Sequence, residues 1–155
     1  MQYQRVTKPA ITLIGLTKSG AMADSATWIE ESWLQLAAQL AAGKFLINDE
    51  VSHFWGAMTD RNHWLDPWLE QGTYLAGIEV PAGTPCPWTW TKWILPAQEY
   101  VVVRTTFTQI EEAVAFVFEE VSVQEQVRVI GAIQEYYGAD FSPLEVALYF
   151  PIRNE

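Results

Sequence analysis

One six-residue stretch occurs twice in this chain of 155 residues, and the recurrence limits the fold more than any other feature. Thr27-Trp28-Ile29-Glu30-Glu31-Ser32 resembles Thr108-Gln109-Ile110-Glu111-Glu112-Ala113. Each copy reads as a helix start with a capping box. The Thr can accept a hydrogen bond from a free N–H of the first turn, the Glu three residues on reaches back, and acids suit the positive end of a helix dipole. The apolar residues that follow keep helical spacing: Ile29, Trp33, Leu36, Ala37 and Leu40 in the first copy, Ile110, Val114, Val117, Phe118 and Val121 in the second. Two helices are predicted, each with one buried stripe on which Trp33 and Phe118 belong to the core. Gly43 ends the first.

Runs rich in β-branched and aromatic residues surround both helices. Residues 11–17 precede the first helix, and 53–58 and 74–80 follow it; residues 100–106 precede the second, and 129–137 and 144–152 follow it. The expected order is β-α-β-β, twice. The expected fold is α+β: a single domain over residues 1–155, with repeat one at about 1–80 and repeat two at about 92–155, related by a pseudo-twofold axis. The antiparallel sheet forms a concave groove, with the two helices packed on its other face. Residues 81–93 are too Pro-rich for regular structure and form a surface crossing, and residues 59–72 form a second irregular stretch carrying Trp64 and Trp68.

Composition narrows the partners. Nine Lys plus Arg against 19 Asp plus Glu give a formal charge of -10. A phosphate backbone is bound by Lys and Arg displacing counterions, so direct nucleic-acid binding is disfavoured, as is an anionic membrane surface. No apolar run reaches the roughly 18 residues that span a bilayer, and the first residues lack the pattern of a secretory signal. A cytoplasmic protein is expected, in keeping with a lone cysteine, Cys86. His53 and His63 have no neighbours at metal-ligand spacing, and no glycine-rich phosphate loop, nucleophile elbow or haem ligand is evident. Neither a metal nor a cofactor is expected.

Glu135 is the unusual acid. Strand alternation puts Ile133, Glu135 and Tyr137 on one face and Gln134 and Tyr136 on the other, so the carboxylate sits among apolar neighbours. Such a group is paired, protonated or waiting for a cation, because an uncompensated buried charge costs several kcal/mol; the plainer reading is a strand-end acid at an edge, salt-bridged to Arg104 or wet. Shifting Glu135 by the spacing of the two helix starts lands on Phe54, so one repeat carries an aromatic where the other carries an acid. Trp55, Trp93, Tyr137 and Tyr149 lie on or beside strands next to the groove and are candidates for either core or pocket wall. Trp64, on its loop, is a candidate lid.

Tyr74-Leu75-Ala76-Gly77-Ile78-Glu79-Val80, Ile94-Leu95-Pro96-Ala97-Gln98-Glu99-Tyr100-Val101-Val102, Ile133-Gln134-Glu135-Tyr136-Tyr137 and Leu148-Tyr149-Phe150-Pro151-Ile152, in that order, resemble the GyrI-like (gyrase-inhibitor-like) effector-binding domains. These are the small-molecule sensors attached to AraC-type and MerR-type multidrug regulators, also found standing alone. The resemblance implies a duplicated β-α-β-β fold, a ligand groove between the halves, and a buried glutamate that meets cationic aromatic drugs, matched here by Glu135. The expected function is binding of lipophilic cationic small molecules, with any DNA-binding half supplied by a separate regulatory partner. The alternatives are a small-molecule hydrolase that uses Glu135 as acid–base, and a protein–protein inhibitor of the gyrase-inhibitor type.

Overall fold

Strands that are apolar on both faces must be covered on both, and the central strands here are of that kind: residues 11–16, 74–78 and 146–152 are buried throughout. The computed structural model describes residues 1–45 and 53–155. Along the chain come β1 (Gln4–Lys8), β2 (Ile11–Ala21), α1 (Ser25–Ala41), β3 (Phe54–Ala57), β4 (Gln71–Val80), β5 (Thr91–Leu95), β6 (Gln98–Thr106), α2 (Ile110–Phe116), α3 (Ser122–Glu125), β7 (Val127–Val129), β8 (Gln134–Tyr137) and β9 (Glu145–Asn154). The fold is α+β. Among the described residues the strands form one curled antiparallel sheet in the order β1-β6-β9-β8-β3-β4-β2-β5, with β7 paired to the end of β9. None of the described helices is long and apolar enough to cross a membrane.

The sheet has a seam at β3–β8, where strands from early and late in the chain meet. Phe54 lies opposite Tyr137 there, and Gly56 opposite Glu135. The helices cover one face. Helix α1 presents Trp28 and Leu36 to Ile14, Tyr74, Ala76 and Ile78, while α2 and the residues after it present Ala113, Val117 and Val121 to Val101, Val103, Val146 and Phe150. On the opposite face Leu13, Trp55, Leu75, Tyr100 and Tyr149 form a third cluster, closed by Trp64 from the β3–β4 loop. Each of these large side chains contributes about 1.5–3 kcal/mol by leaving water.

Several sequence expectations are corrected. Neither Thr caps a helix: the chain enters α1 and α2 through 3₁₀ turns, Met22–Asp24 and Phe107–Gln109, and no side chain caps either start. The tighter turn takes up the first N–H groups, Ser25 N–H donating to the Met22 carbonyl. Thr27 is therefore an interior residue of α1, and the Thr108 hydroxyl bonds to that of Thr106. The second helix is not uniform: at Val117–Val121 it widens to i→i+5 bonding, which turns Phe118 outward to 51% exposure. Residues 129–137 are two strands rather than one: both pair with β9, but four residues from Ile130, bonded to Pro151, to Gln134, opposite Tyr149, span two of β9, so the chain bulges at residues 131–133. Strands β1 and β5 add to the expected set. Gly43 does end α1, with φ of 76° and its N–H returned to Leu40.

Candidate functional site

Gly56 makes room for the site. A Cβ at this position would lie 1.8 Å from the Tyr74 hydroxyl and 2.5 Å from Glu135 Oε1, so only a residue without a side chain lets those two groups meet above β3. Tyr74 comes from β4 and Glu135 from β8, the strands on either side. The Tyr74 hydroxyl donates to Glu135 Oε1 at 2.6 Å, and the Tyr137 hydroxyl donates to the same oxygen at 3.1 Å. Trp33 on α1 completes the chain, its Nε1–H donating to the Tyr74 oxygen at 2.9 Å. Glu135 Oε2 accepts no hydrogen bond from the described residues.

Above this carboxylate lies a cavity of about 570 Å³ between α1 and the sheet. Ile29, Trp33, Leu36 and Leu40 supply its helical wall, and Phe54, Phe107, Glu135 and Tyr137 the rest. The aromatic rings meet edge to face, Trp33 lying 5.4 Å from Tyr137 and 6.4 Å from Phe54 between centroids, while Phe107 stacks on Tyr137 at 6.2 Å. Among the described residues no Lys, Arg or His lines the cavity, and the charged ones that do are Glu135 and, toward solvent, Glu30.

Glu135 is set deep, with part of its surface still open. Burial pushes its carboxyl above the ordinary carboxylate value, and the hydrogen bonds from Tyr74 and Tyr137 pull it partly back. The same burial, with Glu135 alongside, holds both phenols well above their ordinary value, so they remain neutral donors. The pairing with Arg104 that sequence left open does not form. Arg104 points to the other face, where it bonds to Glu145 and Asp140 and stacks over Phe141.

Of the residues singled out from sequence, Glu135, Phe54 and Tyr137 share this cavity. Trp55 and Tyr149 do not; they pack against each other on the opposite face, 4.8 Å between ring centroids, and the Trp55 Nε1–H donates to Glu79. Tyr149 also lines a second, more polar cavity of about 1030 Å³ there, with Tyr136, Phe141 and Arg104. Trp93 borders a small cleft beside Trp68 and Met58, and Trp64 is buried beneath its loop with Nε1–H on Gln98. The groove was expected on the face away from the helices. The cavity that holds Glu135 lies instead on the helix face, walled by α1, because Glu135, Phe54 and Tyr74 have the strand parity that points toward α1.

Sequence reasoning missed Trp33, Tyr74 and Gly56. Trp33 was placed on the buried stripe of α1, which is correct as a direction, but the stripe faces a cavity there. A glycine in the short strand paired with the acid was the available sign of a close approach. Among the described residues no grouping of His, Cys, Asp and Glu could hold a metal ion.

The model for the GyrI-like small molecule binding domain matches residues 1–153. Solved structures share the fold at low identity. SAV2435, bound to tetraphenylphosphonium, aligns with TM-score 0.68 and 14% identity over 99% of this chain and 94% of that one. EcmrR, in a complex with DNA, aligns at 0.64 and 12% identity over 99% of this chain and 58% of its own. A hydrolase from Listeria innocua aligns at 0.57 and 13% identity over 98% and 92%. No curated protein matches the sequence.

Proposed function

Since the chain belongs to the GyrI-like small molecule binding domain family, we propose that its ligands are lipophilic organic cations, held in the cavity under α1 with their charge against Glu135. The observation that carries this reading is a carboxylate among aromatic rings, with one oxygen that no described residue donates to and no cationic side chain among the described residues of the cavity wall. Tyr74 and Tyr137 supply hydrogen bonds but no positive charge, so a cation brings what the site lacks. Each ring face it meets adds roughly 0.5–2 kcal/mol once the charge is desolvated. The Trp33, Phe54, Phe107 and Tyr137 side chains provide those rings. SAV2435, which shares the fold, is bound to a cation of this class.

The net charge of -10 draws cations toward the protein but is screened beyond about 8–10 Å, so selectivity resides in the cavity. EcmrR, which shares the fold and is seen with DNA, supports a sensing role for the domain, with DNA contact made by a separate partner or segment, since the acidic composition disfavours direct contact. A cytoplasmic setting is part of this proposal. Titration with rhodamine and tetraphenylphosphonium tests the reading. Wild type is expected to bind both, and Glu135→Gln to bind each at least tenfold more weakly. Equal affinity in the two proteins refutes it.

One observation favours a hydrolytic second reading: a carboxyl with elevated pKa, bonded to two neutral phenols, is arranged as a general acid would be, and one structural neighbour is a hydrolase. Turnover of electrophilic small molecules, abolished in Glu135→Gln, would support that reading. Stoichiometric binding without product formation would reject it.

A further inference from the structure

The cavity has a second carboxylate at its mouth. Glu30 is exposed on α1 and lines the cavity, whereas its neighbour Glu31 points elsewhere and pairs with Lys18 at 2.5 Å. Glu30 makes no ion pair or side-chain hydrogen bond among the described residues. It stands three residues before Trp33, so the two share one helix face about 4.5 Å apart along the axis. Trp33 in turn reaches Glu135 through the Tyr74 hydroxyl. The floor and mouth of one apolar chamber therefore each carry an acid, separated by the Trp33 indole and the aliphatic side chains of Ile29, Leu36 and Leu40.

We infer that the cavity is suited to elongated dications, in which two positive centres are joined by a hydrophobic spacer, with Glu135 receiving one centre and Glu30 the other. This rests on the proposed binding of cations at Glu135 and adds a specificity-determining residue to it. A singly charged ligand uses the floor and the rings only. A dication of matching length also places its outer charge beside Glu30, while its spacer lies along the apolar wall. Because Glu30 is exposed, its pairing is solvent-screened, and it acts on the choice between ligands more than on overall affinity. A dication whose spacer is too short leaves its second charge inside the apolar chamber. One too long carries that charge past the rim, so the preference has an optimum in length.

The experiment compares bis(trimethylammonium)alkanes of increasing spacer length with alkyltrimethylammonium ions of the same chain length, by calorimetric titration of wild type, Glu30→Gln and Glu135→Gln. In wild type the dication-to-monocation affinity ratio should peak at one spacer length. Glu30→Gln should lower that peak by about 1.5- to 5-fold, the range of an exposed ion pair, and weaken monocations of the same chain length by less. Comparison between proteins cancels the statistical advantage of two identical heads. A ratio that Glu30→Gln leaves unchanged at every length overturns the inference, as does an equal loss for mono- and dications. Glu135→Gln reads the underlying proposal separately: it should weaken both ligand series, and monocation binding that survives intact refutes the site itself. Urea midpoints confirm that the exposed Glu30 substitution leaves the fold as it was.

Discussion

Gly56→Ala is the smallest change that strikes the centre of the site. The new Cβ would stand 1.8 Å from the Tyr74 hydroxyl, and a contact under 3.0 Å is not tolerated, so the hydroxyl must retreat by more than 1 Å. Tyr74 is fully buried beneath α1 and has no open side to move into. Its retreat breaks the 2.6 Å bond to Glu135 and the 2.9 Å bond from Trp33. Overpacking costs about 1–3 kcal/mol, and losing a hydrogen bond to a carboxylate about 1.5–3 kcal/mol. The sum, about 2.5–6 kcal/mol, is a large part of the stability of a domain this size. Urea denaturation followed by tryptophan fluorescence measures it, and dye titration of the folded protein should show weakened binding. Tyr74→Phe removes the nearest atom but leaves the ring carbon 2.5 Å from the new methyl, so the double variant should be partly rescued and the two costs should not add. A Gly56→Ala protein within about 0.5 kcal/mol of wild type, or strictly additive costs, would refute the packing argument.

Trp55→Ala should cost about 3–5 kcal/mol, since its ring is 1% exposed in the core, yet leave the cation affinity of the folded protein unchanged because it lies on the other face. Trp33→Phe should do the reverse, weakening binding several-fold by calorimetry with a smaller loss of stability, as the half-buried indole walls the cavity and donates to Tyr74. The Glu135 carboxyl is raised in the folded state, so the native protein holds its proton to higher pH than the unfolded chain does. Stability from this group is therefore complete below the ordinary carboxylate value and falls as pH rises toward the raised one. Urea midpoints should decline across that window in wild type and less in Glu135→Gln; parallel curves would contradict the assignment.

The repeat of helix starts and the alternation of the strands were enough to read an α+β antiparallel architecture, because a period of 3.6 or 2 is a local property of sequence. The entry turns were not legible. A Thr followed three residues later by Glu looks the same whether the Thr caps the helix or sits within its first turn, as Thr27 does. Strand β8 shows both sides of the limit. Alternation correctly separated Glu135 and Tyr137 from Tyr136, but it could not say which face met α1, since Trp55, Tyr136 and Tyr149 make the opposite face just as aromatic. That decision belongs to sheet pairing. The β3–β8 register sets Gly56 beside Glu135, and no spacing within either strand encodes it. Trp33 was assigned to the core for a related reason: a helical stripe shows which residues face inward, and only the packed structure shows where the interior is left unfilled.

Where a lipophilic cation sits in this protein is read off a crystal structure soaked with tetraphenylphosphonium. Attraction between opposite charges favours the ionised carboxylate when they lie within about 4–6 Å. The phosphorus is expected within about that distance of the Glu135 carboxylate, allowing for its phenyl shell, with phenyl groups against Trp33, Phe54 and Tyr137. Density for the cation in the second cavity instead, against Tyr136 and Tyr149 with Glu135 untouched, would contradict that placement.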